Sequence, residues 1–159
     1  MVESVYSMTG EVSPLHDIIA SKKEYDFKLY VDEAHGFGIY GKNGMGYCEE
    51  LDVLDDVDFI MSSFSKVTGS IGGLVAMDEK YATYINWTSR SYLFQAAIPA
   101  FAAAAILACL DEIQRNPSLA KKVHQTAAYF RSQLNLAGIP CFVTSGLSPI
   151  VPVLIPPGR

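Results

Sequence analysis

The chain has 159 residues, half of them apolar and 18% charged, with 12 basic residues against 17 acidic ones and a net charge of −5. That length suits one domain of roughly 100–200 residues, and the composition suits a globular protein with a sizeable core rather than a disordered one. The acidic balance lacks the basic footprint of a nucleic-acid binder. Cys48, Cys109 and Cys141 stand far apart with no C-x-x-C pair, so they read as reduced thiols of a cytoplasmic protein, not as a disulfide framework or a metal site.

In chain order, residues 2–6 read as the tail of a strand with Ser7 just past it, and a domain that opens mid-strand reads as a fragment. No signal peptide is legible at the start. Pro14 after Ser13 opens a helix to Tyr25. Residues 27–31 form a short apolar strand ending in Asp32. Residues 36–46 carry five glycines and form a loop. Residues 57–61 form a second strand, running into Ser62-Ser63-Phe64-Ser65-Lys66, and residues 74–77 a third. Helical spacing covers 79–87 and 98–114. Asn116-Pro117 starts another helix, which Gly138 ends. Residues 141–144 and 150–154 read as strands of a further sheet. The longest apolar run, 98–110, falls short of the roughly 20 residues that a membrane span needs. Strands alternating with helices predict an α/β fold, and near-continuous apolar strands predict a mainly parallel sheet covered on both faces.

Three chemistries compete for the segment around Asp32-Glu33-Ala34-His35. A nucleotide site with Asp32 on magnesium needs a phosphate loop. Gly36 to Asn43 approaches G-x-x-x-x-G-K-[ST], but Asn43 has no hydroxyl, and the loop follows the acid where it should precede it. Gly36-x-Gly38-x-x-Gly41 matches a dinucleotide fingerprint on paper, yet Gly44 and Gly46 follow where a helix should begin. The third chemistry is that of an aromatic cofactor, pyridoxal phosphate (PLP). It needs a carboxylate beside its ring nitrogen and a lysine amine for its aldehyde. Opposite charges about 4 Å apart attract by roughly 4 kcal/mol at an effective dielectric near 20, enough to keep the ring protonated. Asp32 and Lys66 both fall at the carboxyl ends of predicted strands, where parallel sheets bind ligands. Ser63, Ser65, Thr68 and Ser70 surround the lysine and suit a phosphate.

Each residue alone has a plainer reading. Asp32 could end a turn, His35 could lie on the surface, and most lysines are solvated. The set is more specific than its members. His16 and His124 read as surface residues, and Trp87 and the tyrosines as packing.

At this point the sequence resembles the α-oxoamine synthases, a family of PLP-dependent enzymes. Residues 3–10 are similar to its E-G-V/I-F/Y-S-M-D-G. Residues 32–46 are similar to its D-E-A-H motif with spaced glycines, and residues 63–73 to its T-F-S-K-x-x-G-x-x-G-G. The segment 90–99 also fits. The resemblance implies a three-layer PLP-transferase large domain over residues 1–115 and the start of a small α+β domain over 116–159. It implies Lys66 as the lysine that holds the cofactor and moves the α-proton, and Asp32 as partner of the pyridine nitrogen. His35 and Ser7 would lie near the phenolic oxygen, with Ser63 on the phosphate. Gln95 stands near a position where relatives place a serine or threonine that reaches the neighbouring subunit's phosphate. The implied reaction joins an amino acid to an acyl-CoA thioester with loss of carbon dioxide, in a homodimeric cytoplasmic parent. Serine palmitoyltransferases, aminooxononanoate synthases and aminoketobutyrate ligases share these motifs. The resemblance covers less than half of a family chain, so the stretch alone is expected to be inactive. A nucleotide-binding domain and a non-catalytic partner subunit are the alternatives; the presence of Lys66 argues against the partner subunit.

Overall fold

The opening residues pair with strands far along the chain. The computed structural model describes residues 1–141 and 148–155. Its sheet runs in chain order: β1 (Val2–Glu3), β2 (Tyr30–Asp32), β3 (Phe59–Ser63) and β4 (Gly73–Met77). The first three strands are parallel, and β4 returns antiparallel to β3. Helix α1 (Leu15–Tyr25) lies in the first crossover. The short α2 (Tyr47–Glu50) and a 3₁₀ turn (Leu54–Asp56) lie in the second. Helices α3 (Glu79–Thr88), α4 (Arg90–Leu93), α5 (Ala100–Arg115) and α6 (Ser118–Leu136) follow the sheet. This is the expected α/β architecture with one reversed strand. Among the described residues no helix is long and apolar enough to cross a membrane.

The core forms where apolar periodicities meet. Leu15 and Ile19, one helical turn apart, put the buried stripe of α1 against Val5, Leu29 and Val31, and Tyr40, Tyr47, Cys48 and Val53 complete the cluster. Val31 therefore marks the covered face of the sheet. The opposite face carries Tyr30 and Phe59, stacked at 6.1 Å. It borders a hollow of about 800 Å³ whose far side includes Ile85 of α3 and Tyr92 of α4.

Several boundaries differ from those expected. Strand β2 begins at Tyr30, because the Asp58 carboxylate takes the Leu29 N–H at 2.8 Å before the ladder starts. Strand β3 lies two residues later than read, and β4 one earlier. Helix α5 starts at Ala100, since a residue before proline, here Ile98, is kept out of the helical region. Helix α4, capped by the Ser89 hydroxyl accepting from Tyr92 N at 3.3 Å, and helix α2 were not expected. Of the two late strands, the described residues hold one bridge, Cys141 to Val153; residues 142–147 lie outside them. Trp87 is no packing residue at 78% exposure, and Tyr25, Tyr84, Tyr92 and Tyr129 are exposed too.

Candidate active site

Parallel pairing brings three strand ends to one edge. Glu3 pairs with Asp32, and Asp32 with Met61. Side chains alternate along a strand, so Glu3, Asp32, Met61 and Ser63 share one face, opposite Val31 and α1. Beyond each strand the chain turns on a side chain. Asp32 Oδ1 accepts from Ala34 N at 2.8 Å in the turn that leads into His35. Glu3 Oε2 accepts from Ser7 N at 3.1 Å. Ser63 Oγ accepts from Ser65 N at 3.2 Å, and the two hydroxyls lie 2.7 Å apart. Lys66 follows directly.

His35 registers this convergence electrically. Partial burial pulls its pKa below the ordinary 6.5, the Lys66 charge pushes the same way, and Glu3 and Asp32 oppose both. Groups from all three strand ends thus act on one imidazole, which favours its neutral form. His35 and Lys66 line a hollow of about 270 Å³ with Phe37, Ile39, Val123 and Ile150. Ser7 and Glu3 line a separate one of about 220 Å³. Asp32 and Ser63 line neither, although they share a sheet face with Glu3.

The glycine loop is not a phosphate cradle. Its N–H groups are already taken: Gly41 N by Glu50, and Asn43 N and Met45 N by Glu49, at 2.9–3.2 Å. Two carboxylates there would repel a phosphate. The first N–H groups of α2, from Tyr47 and Cys48, go to Glu33 at 3.0 and 2.7 Å.

Glu33 is the residue that the sequence did not reveal. It is fully buried and also accepts from Ser4 Oγ at 2.6 Å. It therefore ties β1, the end of β2 and the far end of the glycine loop together, one residue from Asp32. Gly46 stands at φ +113°, and a Cβ there would come within 2.5 Å of the Glu33 carboxyl carbon; only glycine lets the loop close over the acid. The two glycines beside it, Gly36 and Gly46, were the available signal. His124 is also not a free surface residue: its Nε2 meets Ile39 O at 3.2 Å, whereas His16 is exposed as read.

Residues 1–155 match the aminotransferase class I and II family, and the chain belongs to it. Relatives that it matches in sequence are named serine palmitoyltransferase and 8-amino-7-oxononanoate synthase. A serine palmitoyltransferase of Bacteriovorax stolpii is 33% identical over 155 residues, covering 98% of this chain and 36% of that protein. An 8-amino-7-oxononanoate synthase of Chlorobaculum parvum is 36% identical, covering 98% and 39%. The chain spans less than two fifths of the length of either relative. Among solved structures, a serine palmitoyltransferase from S. paucimobilis with a bound PLP–myriocin aldimine superposes with a TM-score of 0.92 at 27% identity, over 99% of this chain and 41% of that one. An 8-amino-7-oxononanoate synthase from Francisella tularensis superposes with a TM-score of 0.80 at 27% identity, over 94% and 44%.

Proposed function

We propose that this chain is the cofactor-bearing stretch of a PLP-dependent acyltransferase, which condenses an amino acid with an acyl-CoA thioester and releases carbon dioxide. The observation that carries this reading is the arrangement at one sheet edge: Asp32 ends β2 beside β3, the strand that leads to Lys66, and His35 lines one hollow with Lys66. An amine and a carboxylate thus come from neighbouring strand ends. The solved relative named with PLP supports the choice of cofactor.

The residues present fit that group. Asp32 supplies a carboxylate with one oxygen held by Ala34 N. The Ser63–Ser65 hydroxyl pair supplies donors for a phosphate. A Cβ on Gly69 would meet nothing within 4 Å, so the turn after Lys66 leaves room beside them. Lys66 would hold the aldehyde carbon and then take the α-proton of the substrate. Asp32 would keep the pyridine nitrogen protonated. His35, favoured neutral, and Ser7 would meet the phenolic oxygen, and Ser63 the phosphate. Bound there, PLP supplies the electron sink for negative charge at the α-carbon.

The proposal includes a division into residues 1–115 and 116–159, a homodimer with Gln95 near the subunit contact, and a cytoplasmic location. Incubating the full-length parent protein with PLP, an amino acid and an acyl-CoA tests the reaction. Thiol and carbon dioxide should appear in equal amounts, and Asp32→Asn should abolish both. Conversion of the amino acid to its oxo acid, with no thiol released, would make the protein an aminotransferase and overturn the acyltransferase reading.

A further inference from the structure

The turn that carries Lys66 is closed on itself. Phe64 N donates to Gly72 O at 3.0 Å, so the two ends of residues 64–72 meet. Inside the turn Phe64 O accepts twice, from Ser70 N at 2.8 Å and from the Thr68 hydroxyl at 2.6 Å. A carbonyl oxygen has two lone pairs, and both are in use. Thr68 is 7% exposed and gives its one hydroxyl proton to this bond, so it has none for a phosphate. Ser65, Lys66 and Gly69 are exposed. The turn thus buries its threonine and exposes its lysine.

Two other elements press on the same turn. Val67 lies against Gly38 of the glycine loop, where a Cβ would come within 2.5 Å of Val67 Cγ2 and 3.1 Å of Cγ1. Gly38 stands at φ +74°, and its N–H is bonded to Gly44 O at 2.8 Å. The notch that receives Val67 is therefore fixed backbone. From α5, Cys109 Sγ donates to Thr68 O at 3.8 Å. The two residues after Lys66 are thus held from inside the turn, from the glycine loop and from α5. A lysine side chain is a flexible stem with about 2 kcal/mol of rotamer entropy. It can bring its amine to one place only if the backbone beneath it stays still, and a misplacement of about 1 Å can cost roughly 100-fold in rate.

We propose that Thr68 and Val67 are positioning residues for the Lys66 amine. The Thr68 hydroxyl pins the turn from within, and Val67, seated on Gly38, sets its distance from the segment that follows Asp32 and His35. The proposal rests on Lys66 being the amine that takes the cofactor, as read above.

Timed capture of PLP by the full-length parent protein, stripped of cofactor, tests it. The Lys66 amine adds to the aldehyde carbon, water leaves, and borohydride added at successive times reduces the imine to a secondary amine that peptide mapping locates. Lys42, exposed on the glycine loop, is the reference amine in the same digest. Thr68→Val keeps the shape and removes the hydroxyl; it should slow capture at Lys66 by about 10- to 100-fold and leave Lys42 unchanged. Thr68→Ser, which retains the hydroxyl, should capture at close to the wild-type rate. Gly38→Ala should also slow Lys66. Adding Val67→Ala should recover part of the rate, because the methyls that the new Cβ strikes are gone. A second readout needs no cofactor. The Lys66 charge lowers the pKa of His35, so that pKa, followed by NMR, should rise in Thr68→Val and stay in place in Thr68→Ser. A folded Thr68→Val protein that captures PLP at Lys66 at the wild-type rate overturns the positioning role and leaves the cofactor reading standing. A pyridoxyl group on another lysine, with His35 shifted in Thr68→Val, overturns the cofactor reading and leaves the positioning role standing. A Gly38→Ala/Val67→Ala protein no faster than Gly38→Ala overturns the part given to Val67, and this pair serves where Thr68→Val does not fold.

Discussion

Replacing Glu33 with alanine should cost more stability than any surface change in this protein. Three donors converge on the carboxylate: Ser4 Oγ and Tyr47 N on Oε2, and Cys48 N on Oε1. The serine hydroxyl can turn away, but the two amides cannot. Each buried donor left without an acceptor costs about 1–3 kcal/mol, so the loss is about 2–6 kcal/mol. Whole domains hold only about 5–15 kcal/mol. Glu33→Gln is the finer probe. Its amide oxygen can serve one side of the site, but its NH₂ then faces an N–H, at about 1–3 kcal/mol. Urea unfolding followed by fluorescence measures both, and at a slope of about 1–3 kcal/mol per molar the alanine midpoint should fall by about 0.7 M or more. Gly46→Ala should destabilise too, because its Cβ would strike the Glu33 carboxyl. Combined with Glu33→Ala it should cost less than the sum, since the collision partner is gone. A Glu33→Gln protein with the wild-type midpoint, or strict additivity in the double variant, would refute the clamp.

The pKa of His35 lies below 6.5 in the folded chain, so the unfolded chain binds the proton more readily. The histidine's contribution is complete above 6.5 and is lost as pH falls through the folded value; melting temperatures below pH 6.5 should therefore drop less steeply in His35→Gln than in wild type. Burial works against ionising Asp58, but Lys22, the Leu29 N–H and Lys28 outweigh it and take its pKa from 3.8 to about 2. Asp58→Asn should accordingly lose stability at neutral pH, by about 1 kcal/mol once the shift is cut for solvent screening, and the gap from wild type should close in melts taken toward pH 2. Ser63→Ala should weaken PLP binding by about 1.5–3 kcal/mol, read by equilibrium titration, through loss of a charge-assisted hydrogen bond.

Much of the fold was legible because parallel strands are short apolar runs, and the motif positions stand where those runs end. The boundaries slipped where side chains replaced backbone partners, as Asp58 does at Leu29. Glu33 escaped notice because an acid beside an acid reads as solvated, and buried carboxylates are rare. Its three donors come from positions 4, 47 and 48, which only folding assembles. His124 was misread for the same reason: its partner, Ile39, lies 85 residues away. The convergence of Glu3 on His35 likewise depends on the pairing of β1 with β2, which no local pattern announces.

The central claim concerns one amine among the twelve basic residues. Reduction of the protein with borohydride in the presence of PLP, followed by peptide mapping, asks which lysine carries the pyridoxyl group. Lys66 should carry it, and Lys66→Ala should leave the protein unlabelled at equal PLP concentration. A pyridoxyl group on another lysine, or labelling that survives in Lys66→Ala, would contradict the account.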